Sequence, residues 1–196
     1  SQYEWERRAL DFIRTGLPDH DPYRAWANFE FQSDDGAVYE VDLLVLTKQG
    51  FWLVECKSWP GRVTGDAGTW TRTHDGRTIS EDNPVLLANR KAKVLASLLK
   101  AQKATKNIRV PWLDALVFLS ADDLQFDLTG PARNRVCLKD LPATENRPER
   151  KGILASLMNR EGPGIDPDLR CPIDTKVAKA LSRAMEQAGI RPGDYL

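Results

Sequence analysis

The hydrophobic positions in the first third of the chain follow two different periods. Between residues 3 and 17, apolar side chains recur at the spacing of an amphipathic helix, and Pro18 marks its end. The pattern then favours strands, over residues 24–32 and 37–47, with a Ser-Asp-Asp-Gly turn between them. We therefore predict a helix followed by two strands.

Two continuous apolar runs, residues 43–46 and 51–54, flank a short turn in the next part of the chain. Such runs are typical of adjacent strands that are buried on both faces of a sheet. If the connection has an even number of residues, Asp42 lies across from Glu55, and Lys57 points to the same face. An odd connection with a bulge moves Glu55 and Lys57 to the opposite face. The register of this hairpin therefore decides whether the three charged residues meet.

The rest of the chain predicts two more strands and three helices. The strands lie over residues 113–120 and 135–138, and the helices over residues 85–106, 147–159 and 175–188. Asn83 and Pro84 open the first of these helices, and a glycine-rich segment, 61–76, predicts a short hairpin or an irregular extension. We expect an α/β domain over residues 1–140 and a helical extension or linker over residues 141–196.

Composition and charge narrow the class of protein. Of the 196 residues, 41% are hydrophobic and 29% are charged, as in ordinary globular domains. No apolar run is long enough to span a bilayer, so we expect no membrane partner. The three cysteines lie far apart without a Cys-x-x-Cys pair, which indicates a reducing, cytoplasmic location. The formal net charge is zero, so any surface for nucleic acid must be local.

Asp42, Glu55 and Lys57 are candidate site residues because charged groups are costly in strands this apolar. Converging carboxylates suit Mg²⁺, which binds one or two protein carboxylates and keeps several waters. A metal there would polarise a phosphate and activate water, and Lys57 would orient that water or stabilise the developing charge. The alternative is a buried ion pair between Lys57 and a carboxylate, without any chemistry.

A third acidic residue falls on the inward face of the first predicted helix. At about 100° of rotation per residue, Glu6 lies within the apolar stripe, whereas Glu4 points almost the opposite way. Two explanations are open. Glu6 is either a further carboxylate of the metal site or a first-turn residue favoured by the helix dipole.

The long predicted helix and its exit are basic. No acidic residue occurs between Asn83 and Leu113, whereas this stretch holds Arg90, Lys91, Lys93, Lys100, Lys103, Lys106 and Arg109. On the functional interpretation, Arg90, Lys91, Lys93 and Lys100 contact DNA phosphates, with salt-dependent binding. On the structural interpretation, these residues simply form a solvated face of the helix. Trp59 either packs over the site, stacks on a base or belongs to the core.

The order of these motifs resembles a known family. The segments YEVDLLVL at 39–46 and GFWLVECKSW at 50–59, followed by Gly61, Trp70 and the Asn-Pro pair, resemble the nuclease-related domain, NERD, over roughly residues 1–120. This family is similar to the PD-(D/E)XK nucleases. The resemblance therefore implies an α/β, restriction-endonuclease-like core, with a central mixed sheet of about four to five strands flanked by helices.

The resemblance also implies roles for individual residues. Asp42 and Glu55 become metal ligands, Lys57 the catalytic lysine, Glu6 the acid of the first helix, and Cys56 a further metal-site residue. The implied cofactor is Mg²⁺ or Mn²⁺. Many family members have a glutamine shortly after the Asn-Pro pair, where this chain reads Leu-Leu-Ala at 86–88. This departure removes a secondary contact but leaves the metal-site residues in place.

The C-terminal third resembles the linker of bacterial phage-defence proteins in which a NERD domain precedes a serine/threonine kinase. The last residues, 191–196, would suit the entry to a kinase, so a kinase domain outside this chain is implied. The implied function is a Mg²⁺-dependent DNA endonuclease in phage defence, with DNA as partner and a homodimer as the assembly common to nucleases of this fold. The alternative is a catalytically quiet nuclease fold that binds nucleic acid or a partner and regulates the attached kinase.

Overall fold

The structure, a computed structural model, describes residues 2–169 and 171–191, with side chains from Glu4 onward. The segment 192–196, expected to lead toward a kinase, lies outside the described residues. Within the described part, nine strands form two sheets and four α-helices pack around them. The predicted α/β class is confirmed.

The bounds of the elements are as follows. The helices are α1 (Gln2–Gly16), α2 (Pro84–Lys100), α3 (Ile153–Asn159) and α4 (Thr175–Gln187). The strands are β1 (Arg24–Gln32), β2 (Val38–Thr47), β3 (Gly50–Lys57), β4 (Gly61–Gly65), β5 (Thr69–His74), β6 (Arg77–Asp82), β7 (Leu113–Leu119), β8 (Leu124–Asp127) and β9 (Val136–Cys137). None of the helices described here has both the length and the apolar character needed to cross a membrane.

The main sheet is mixed and has the strand order β1-β2-β3-β7-β9. The first three strands are antiparallel neighbours, because tight turns connect them, whereas β7 and β9 run parallel to β3. The chain reaches β7 from β3 through the second sheet and α2, which is long enough for a parallel crossover. This is the five-stranded mixed sheet that the resemblance implied.

Side chains of β2 and β3 alternate between two cores, one on each face of the main sheet. The first core lies under α2 and α4 and includes Leu44, Leu46, Phe51 and Leu53. The second lies under α1 and α3 and includes Leu43, Val45, Trp52 and Val54. All eight are at most 4% exposed, so both runs are buried on both faces, as predicted.

The second sheet is larger than the sequence indicated. The glycine-rich segment does form a hairpin, β4–β5, but β6 extends it and β8 joins it as a parallel edge strand, giving the order β6-β5-β4-β8. Neither β6 nor β8 was predicted. The residues of β6 are mostly polar and exposed, and β8, although its apolar and polar residues alternate, is only four residues long, so main-chain pairing with neighbours defines both strands.

Two predicted helix boundaries are wrong. The helix opened by Asn83 ends at Lys100 and not at 106, because Gln102 is extended and the Thr105 hydroxyl donates to the carbonyl of Leu99 at 2.7 Å. The next helix begins at Ile153 and not at 147. Residues 141–150 instead fold back on themselves through two isolated antiparallel bridges.

The C-terminal residues pack against both cores. Val177, Ala178 and Leu181 of α4 join the core under α2, whereas Ile153 and Leu157 of α3 join the core under α1. A buried ion pair also anchors the extension, where Arg160 Nη2 lies 3.0 Å from Asp114 Oδ2 and both side chains are 2% exposed. The same guanidinium donates to the main-chain carbonyl of Gln49 in the β2–β3 turn at 3.1 Å.

Candidate active site

The β2–β3 hairpin has the even register that the site requires. Its ladder runs from Thr47 opposite Gly50 to Leu43 opposite Val54, so the next pair outward is Asp42 and Glu55. Both of these side chains fall on the face of the sheet that α2 covers, because they alternate with residues of the other core. The structure therefore brings the two predicted carboxylates together.

Asp42 is held in place by the neighbouring strand. Its Oδ2 accepts a hydrogen bond from the main-chain N–H of Cys56 at 2.8 Å. The Cys56 side chain itself points the other way, into the core under α1, where it is 2% exposed and burial raises the pKa of the thiol. Any contribution of Cys56 to a metal site is therefore restricted to its main-chain carbonyl.

Glu55 is a buried carboxyl group with an unusually high pKa. It is 7% exposed, and burial together with the negative charge of Asp42 raises its pKa to about 8. The ammonium of Lys91 opposes this rise, because its Nζ lies 3.0 Å from Glu55 Oε1. Because burial and Asp42 outweigh Lys91, the site favours the protonated form of Glu55 unless further positive charge is bound.

Lys91 belongs to this site and not to the outer surface of α2. It was predicted to contact DNA, but the residue is only 8% exposed, and its Nζ also donates to the main-chain carbonyl of Glu40 at 2.5 Å. Placing it with the exposed lysines was therefore wrong. The sequence carries a signal for this position, since Lys91 falls on the same helix face as the buried residues Ala88, Ala92 and Leu95.

Lys57 and Trp59 lie at the end of β3, beside the carboxylates. Lys57 is partly buried and forms no ion pair with a described carboxylate, and its Nζ lies 5.7 Å from the centre of the Trp59 ring. Trp59 packs against the core and edge-on against Trp70, while the Arg72 guanidinium lies 4.1 Å from its ring centre. The indole thus supports the wall of the site, and its ring is flanked by two cations.

Glu6 and Glu4 differ as their helical positions predict. Glu6 is half-buried at the edge of the site, and burial, followed by the charges of Asp42 and Glu40, raises its pKa. Glu4 is exposed and forms an ion pair with Arg8, 2.8 Å away. Glu6 is therefore close enough to Asp42 and Glu40 for their charges to affect its ionisation.

One open cavity of about 680 Å³, between α1, the first three strands and α2, is lined by Glu6, Asp42, Glu55, Cys56, Lys57, Trp59 and Lys91. Five carboxylates line it, those of Glu6, Glu30, Glu40, Asp42 and Glu55, against only two ammonium groups, those of Lys57 and Lys91. Such a cavity favours cations and repels phosphates. An anionic substrate would enter it only in the company of added positive charge.

Asn28 is a cavity residue that sequence reasoning missed. It lies on β1 directly across from Asp42, since the flanking pairs are Ala27 with Leu43 and Phe29 with Val41. Its φ is +51°, and its buried Nδ2 has no hydrogen-bond partner among the described residues. A left-handed asparagine with an unused amide is unusual inside a strand. No local sequence pattern marks it.

Three of the predicted DNA-contacting residues do lie on an exposed surface. Arg90, Lys93 and Lys100 are exposed and point away from the sheet, opposite to the buried face of α2. Their spacing of three and seven residues places them along one helical stripe. Contact with DNA stays a prediction for this stripe.

The carboxylates of the site can be compared with the ligands that the implied divalent cation, Mg²⁺, requires. Among the residues described, no three His, Cys, Asp or Glu side chains cluster closely enough to enclose a metal ion. Mg²⁺ needs fewer, because it binds through one or two carboxylates and retains its waters. The carboxyl groups of Asp42 and Glu55 lie close enough to share a hydrogen bond, which helps to raise the pKa of Glu55, so a pair this close fits a cation that would take the place of the shared proton.

Comparison with known proteins identifies the family of the chain. The chain is similar to the Probable kinase PglW of Streptomyces coelicolor, at 43% identity over 75% of this chain and 10% of that protein, so it spans about a tenth of the relative's length. No solved structure matches it. The family model described as "Nuclease-related domain" matches residues 1–120, which is more than half of the chain and contains Asp42, Glu55 and Lys57. The chain therefore belongs to the NERD, or nuclease-related domain, family.

Proposed function

We propose that this domain hydrolyses phosphodiester bonds of DNA with the help of Mg²⁺ or Mn²⁺. The observation that carries the proposal is the opposed pair of Asp42 and Glu55, with Lys57 at the end of the same strand. These three groups face one cavity whose carboxylates outnumber its cations. Both features suit metal-assisted phosphodiester hydrolysis, in which carboxylates hold the cation and an ammonium stabilises the developing negative charge.

Under this proposal, each residue of the site has a distinct role. Asp42 and Glu55 would hold the cation, and the main-chain N–H of Cys56 fixes the orientation of the Asp42 carboxylate. When bound, a divalent cation would polarise the scissile phosphate and lower the pKa of a bound water. Lys57, which has no carboxylate partner among the described residues, is available to a phosphate oxygen or to the attacking water.

Two further groups surround this centre. Lys91 donates to Glu55 and keeps one of its oxygens oriented. Asn28 offers an amide N–H, without a partner among the described residues, from the strand facing Asp42. We assign both to positioning, because the atoms they offer are N–H donors, which orient a substrate or an ordered water.

Plasmid cleavage tests the proposal. The purified chain is incubated with supercoiled plasmid and Mg²⁺, Mn²⁺ or EDTA, and compared with Asp42→Asn and Lys57→Ala. Nicking that requires the cation and is lost in both variants would support it. Lys48→Ala is the matched control, because Lys48 is exposed in the turn at the other end of the hairpin. If the wild type leaves every DNA form intact with both metals, the enzymatic proposal fails.

The Lys91–Glu55 contact favours one alternative, a catalytically quiet domain. In that case the Lys91 ammonium serves as a permanent internal counterion in place of the metal. Calorimetric titration with Mn²⁺ separates the two functions. Saturable binding that disappears in Glu55→Gln supports the nuclease, whereas no heat of binding together with retained DNA binding supports the quiet domain.

We also propose that the complete protein carries a kinase beyond this domain. The support is the similarity to a much longer relative that is named as a kinase. Under this proposal the domain cleaves or senses DNA and communicates with the kinase, as in the predicted phage-defence role. Phage plaque counts on cells carrying the full-length protein, with and without Asp42→Asn, test that role. Equal counts would argue against it.

A further inference from the structure

A second cavity lies at the opposite end of the main sheet from the carboxylates. It has a volume of about 490 Å³ and is bordered by the β2–β3 turn, the end of α2 and the segment leading into β7. We call it the hairpin pocket. Gly50 lines it at the start of β3, whereas Glu55 lies five residues further along that strand, about 16 Å away. The two cavities share no lining residue.

The hairpin pocket has the opposite charge to the acidic cavity. Lys100, Lys106 and Arg109 line it, and no aspartate or glutamate does. None of the three forms an ion pair with a carboxylate in the described part of the chain. A fourth cation, Arg160, forms an ion pair with the buried Asp114, which it shares with Arg135. Three uncompensated positive charges therefore surround one concave space.

Stabilisation of α2 does not explain why all three of these cations lie around the hairpin pocket. Lys100 lies in the last turn of α2, where the helix dipole favours a cation. Lys106 and Arg109, however, follow the helix and lie outside any α-helix. Their convergence on the same cavity as Lys100 creates mutual repulsion that a bound anion would relieve.

Trp112 adds an aromatic wall to this basic pocket. It is 62% exposed, the highest value among the large hydrophobic residues of the described part. Leu169, which is 38% exposed, also lines the pocket. An indole that the fold leaves in water beside lysine and arginine offers a flat surface on which a base can stack.

We propose that the hairpin pocket binds a nucleotide unit, with its phosphate on Lys100, Lys106 and Arg109 and its base against Trp112. The pocket's volume falls within the range of small-molecule sites and suits one nucleotide. The unit is either a free nucleotide or the 5′-phosphorylated end of a single strand, which present the same chemistry. This binding is independent of cleavage at Asp42 and Glu55.

Fluorescence anisotropy of two probes tests the proposal. One is ATP carrying a fluorescent ribose label, and the other is a short 5′-phosphorylated oligodeoxynucleotide labelled at its 3′ end. Both are titrated with the 196-residue chain in EDTA, so that no divalent cation bridges the probe to the acidic cavity. Binding of ATP alone identifies a free nucleotide as the ligand, and binding of the oligonucleotide alone identifies a strand end.

Three variants distinguish binding in the hairpin pocket from general attraction of the probe to positive charge on the protein. Arg109→Glu is expected to weaken binding about tenfold, and Trp112→Ala about fivefold. Lys179→Glu makes the same charge change on an exposed residue of α4 and is expected to change affinity less than about twofold. Arg109 and Trp112 are exposed, so both variants should fold, which a thermal melt confirms.

Three results would overturn the proposal. The first is that neither probe binds. The second is that Lys179→Glu weakens binding as much as Arg109→Glu, which would mean general attraction to a basic surface. The third is that an acidic peptide competes equally well and Trp112→Ala has no effect, which would identify a peptide-binding surface instead.

Discussion

The ammonium of Lys91 lies 3.0 Å from the carboxyl group of Glu55, and their side chains are only 11% and 9% exposed. The pKa of Glu55 is nevertheless raised to about 8, because burial and Asp42 outweigh Lys91. At neutral pH, without metal, this contact is therefore mainly a hydrogen bond from a cation to a neutral carboxyl group. Above pH 8 it becomes an ion pair.

Lys91→Met should destabilise the metal-free protein in a pH-dependent way. At pH 9 the variant leaves a charged Glu55 without its partner, which we expect to lower the free energy of unfolding by about 3 kcal/mol. At pH 6 the loss should be nearer 1 kcal/mol, since only a hydrogen bond disappears. Urea denaturation at both pH values measures this, with the exposed neighbour Lys93→Met as the control. Equal losses at the two pH values would contradict the assignment.

The raised pKa of Glu55 also predicts how stability depends on pH. The folded state prefers the protonated carboxyl group, so the stability contributed by this group is complete below its ordinary pKa of 4.5. It is then lost progressively as pH rises toward and through about 8. Metal-free Glu55→Gln should lose less stability between pH 6 and pH 9 than the wild type does, as seen in thermal melts. Glu186→Gln, on the exposed side of α4, should behave like the wild type.

Asp42→Asn should stabilise the metal-free protein while abolishing cleavage. The amide oxygen can still accept the N–H of Cys56, but the charge that raises the pKa of Glu55 is gone. We expect a gain of about 1 kcal/mol at pH 8, measured by urea denaturation. Asp42→Ala should be less stable than Asp42→Asn by about 1 kcal/mol, because the N–H of Cys56 loses its acceptor. An Asp42→Asn variant that keeps wild-type nicking would exclude Asp42 as a ligand.

Two substitutions at Asn28 distinguish the contribution of its side-chain amide to cleavage from the contribution of its left-handed backbone to stability. Asn28→Gly suits a φ of +51° and should change the free energy of unfolding by less than about 1 kcal/mol. Asn28→Ala should cost about 1 to 2 kcal/mol more, because alanine is strained in the left-handed region. Both remove the same amide and should slow plasmid nicking to the same extent. Wild-type nicking in the glycine variant would restrict Asn28 to a structural role.

Arg160→Met tests how closely the C-terminal extension is integrated with the sheet. The change leaves Asp114, which is 2% exposed, with Arg135 as its remaining partner, at 2.7 Å. We expect a loss of about 3 kcal/mol in a single cooperative urea transition. Lys151→Met, which breaks an exposed pair with Glu161, should cost less than about 1 kcal/mol. Two separate transitions, with only the first shifted, would support the predicted division at residue 140.

The hairpin could be predicted because its information is local. The apolar runs, the short turn between them and the period of two together determine which side chains share a face. The bounds of β1 and the pairing of β2 with β3 agree with the sequence prediction. The helical period, also local, placed Glu6 near the site and Glu4 in solvent.

The missed features depend on contacts between distant residues. The contact of Lys91 joins positions 36 residues apart, and the ion pair of Arg160 joins positions 46 residues apart. Strand β6 is mostly polar and exposed, and β8 is only four residues long, so neither carries a hydrophobic period long enough to mark it. The start of α3 depends on Asp140, whose carboxylate accepts from the main-chain N–H groups of Gly152, Leu154 and Ala155. Such partners are set by the fold and leave no mark on the nearby sequence.

The opposite orientations of the Glu55 and Cys56 side chains have an evolutionary consequence. Deleting or inserting one residue in the turn before Gly50 would exchange them, sending a carboxylate into an apolar core and a thiol into the acidic cavity. Relatives that keep the site should therefore vary this turn only in steps of two residues. The solvent-exposed turn between β5 and β6 carries no such restriction and is free to accumulate single insertions.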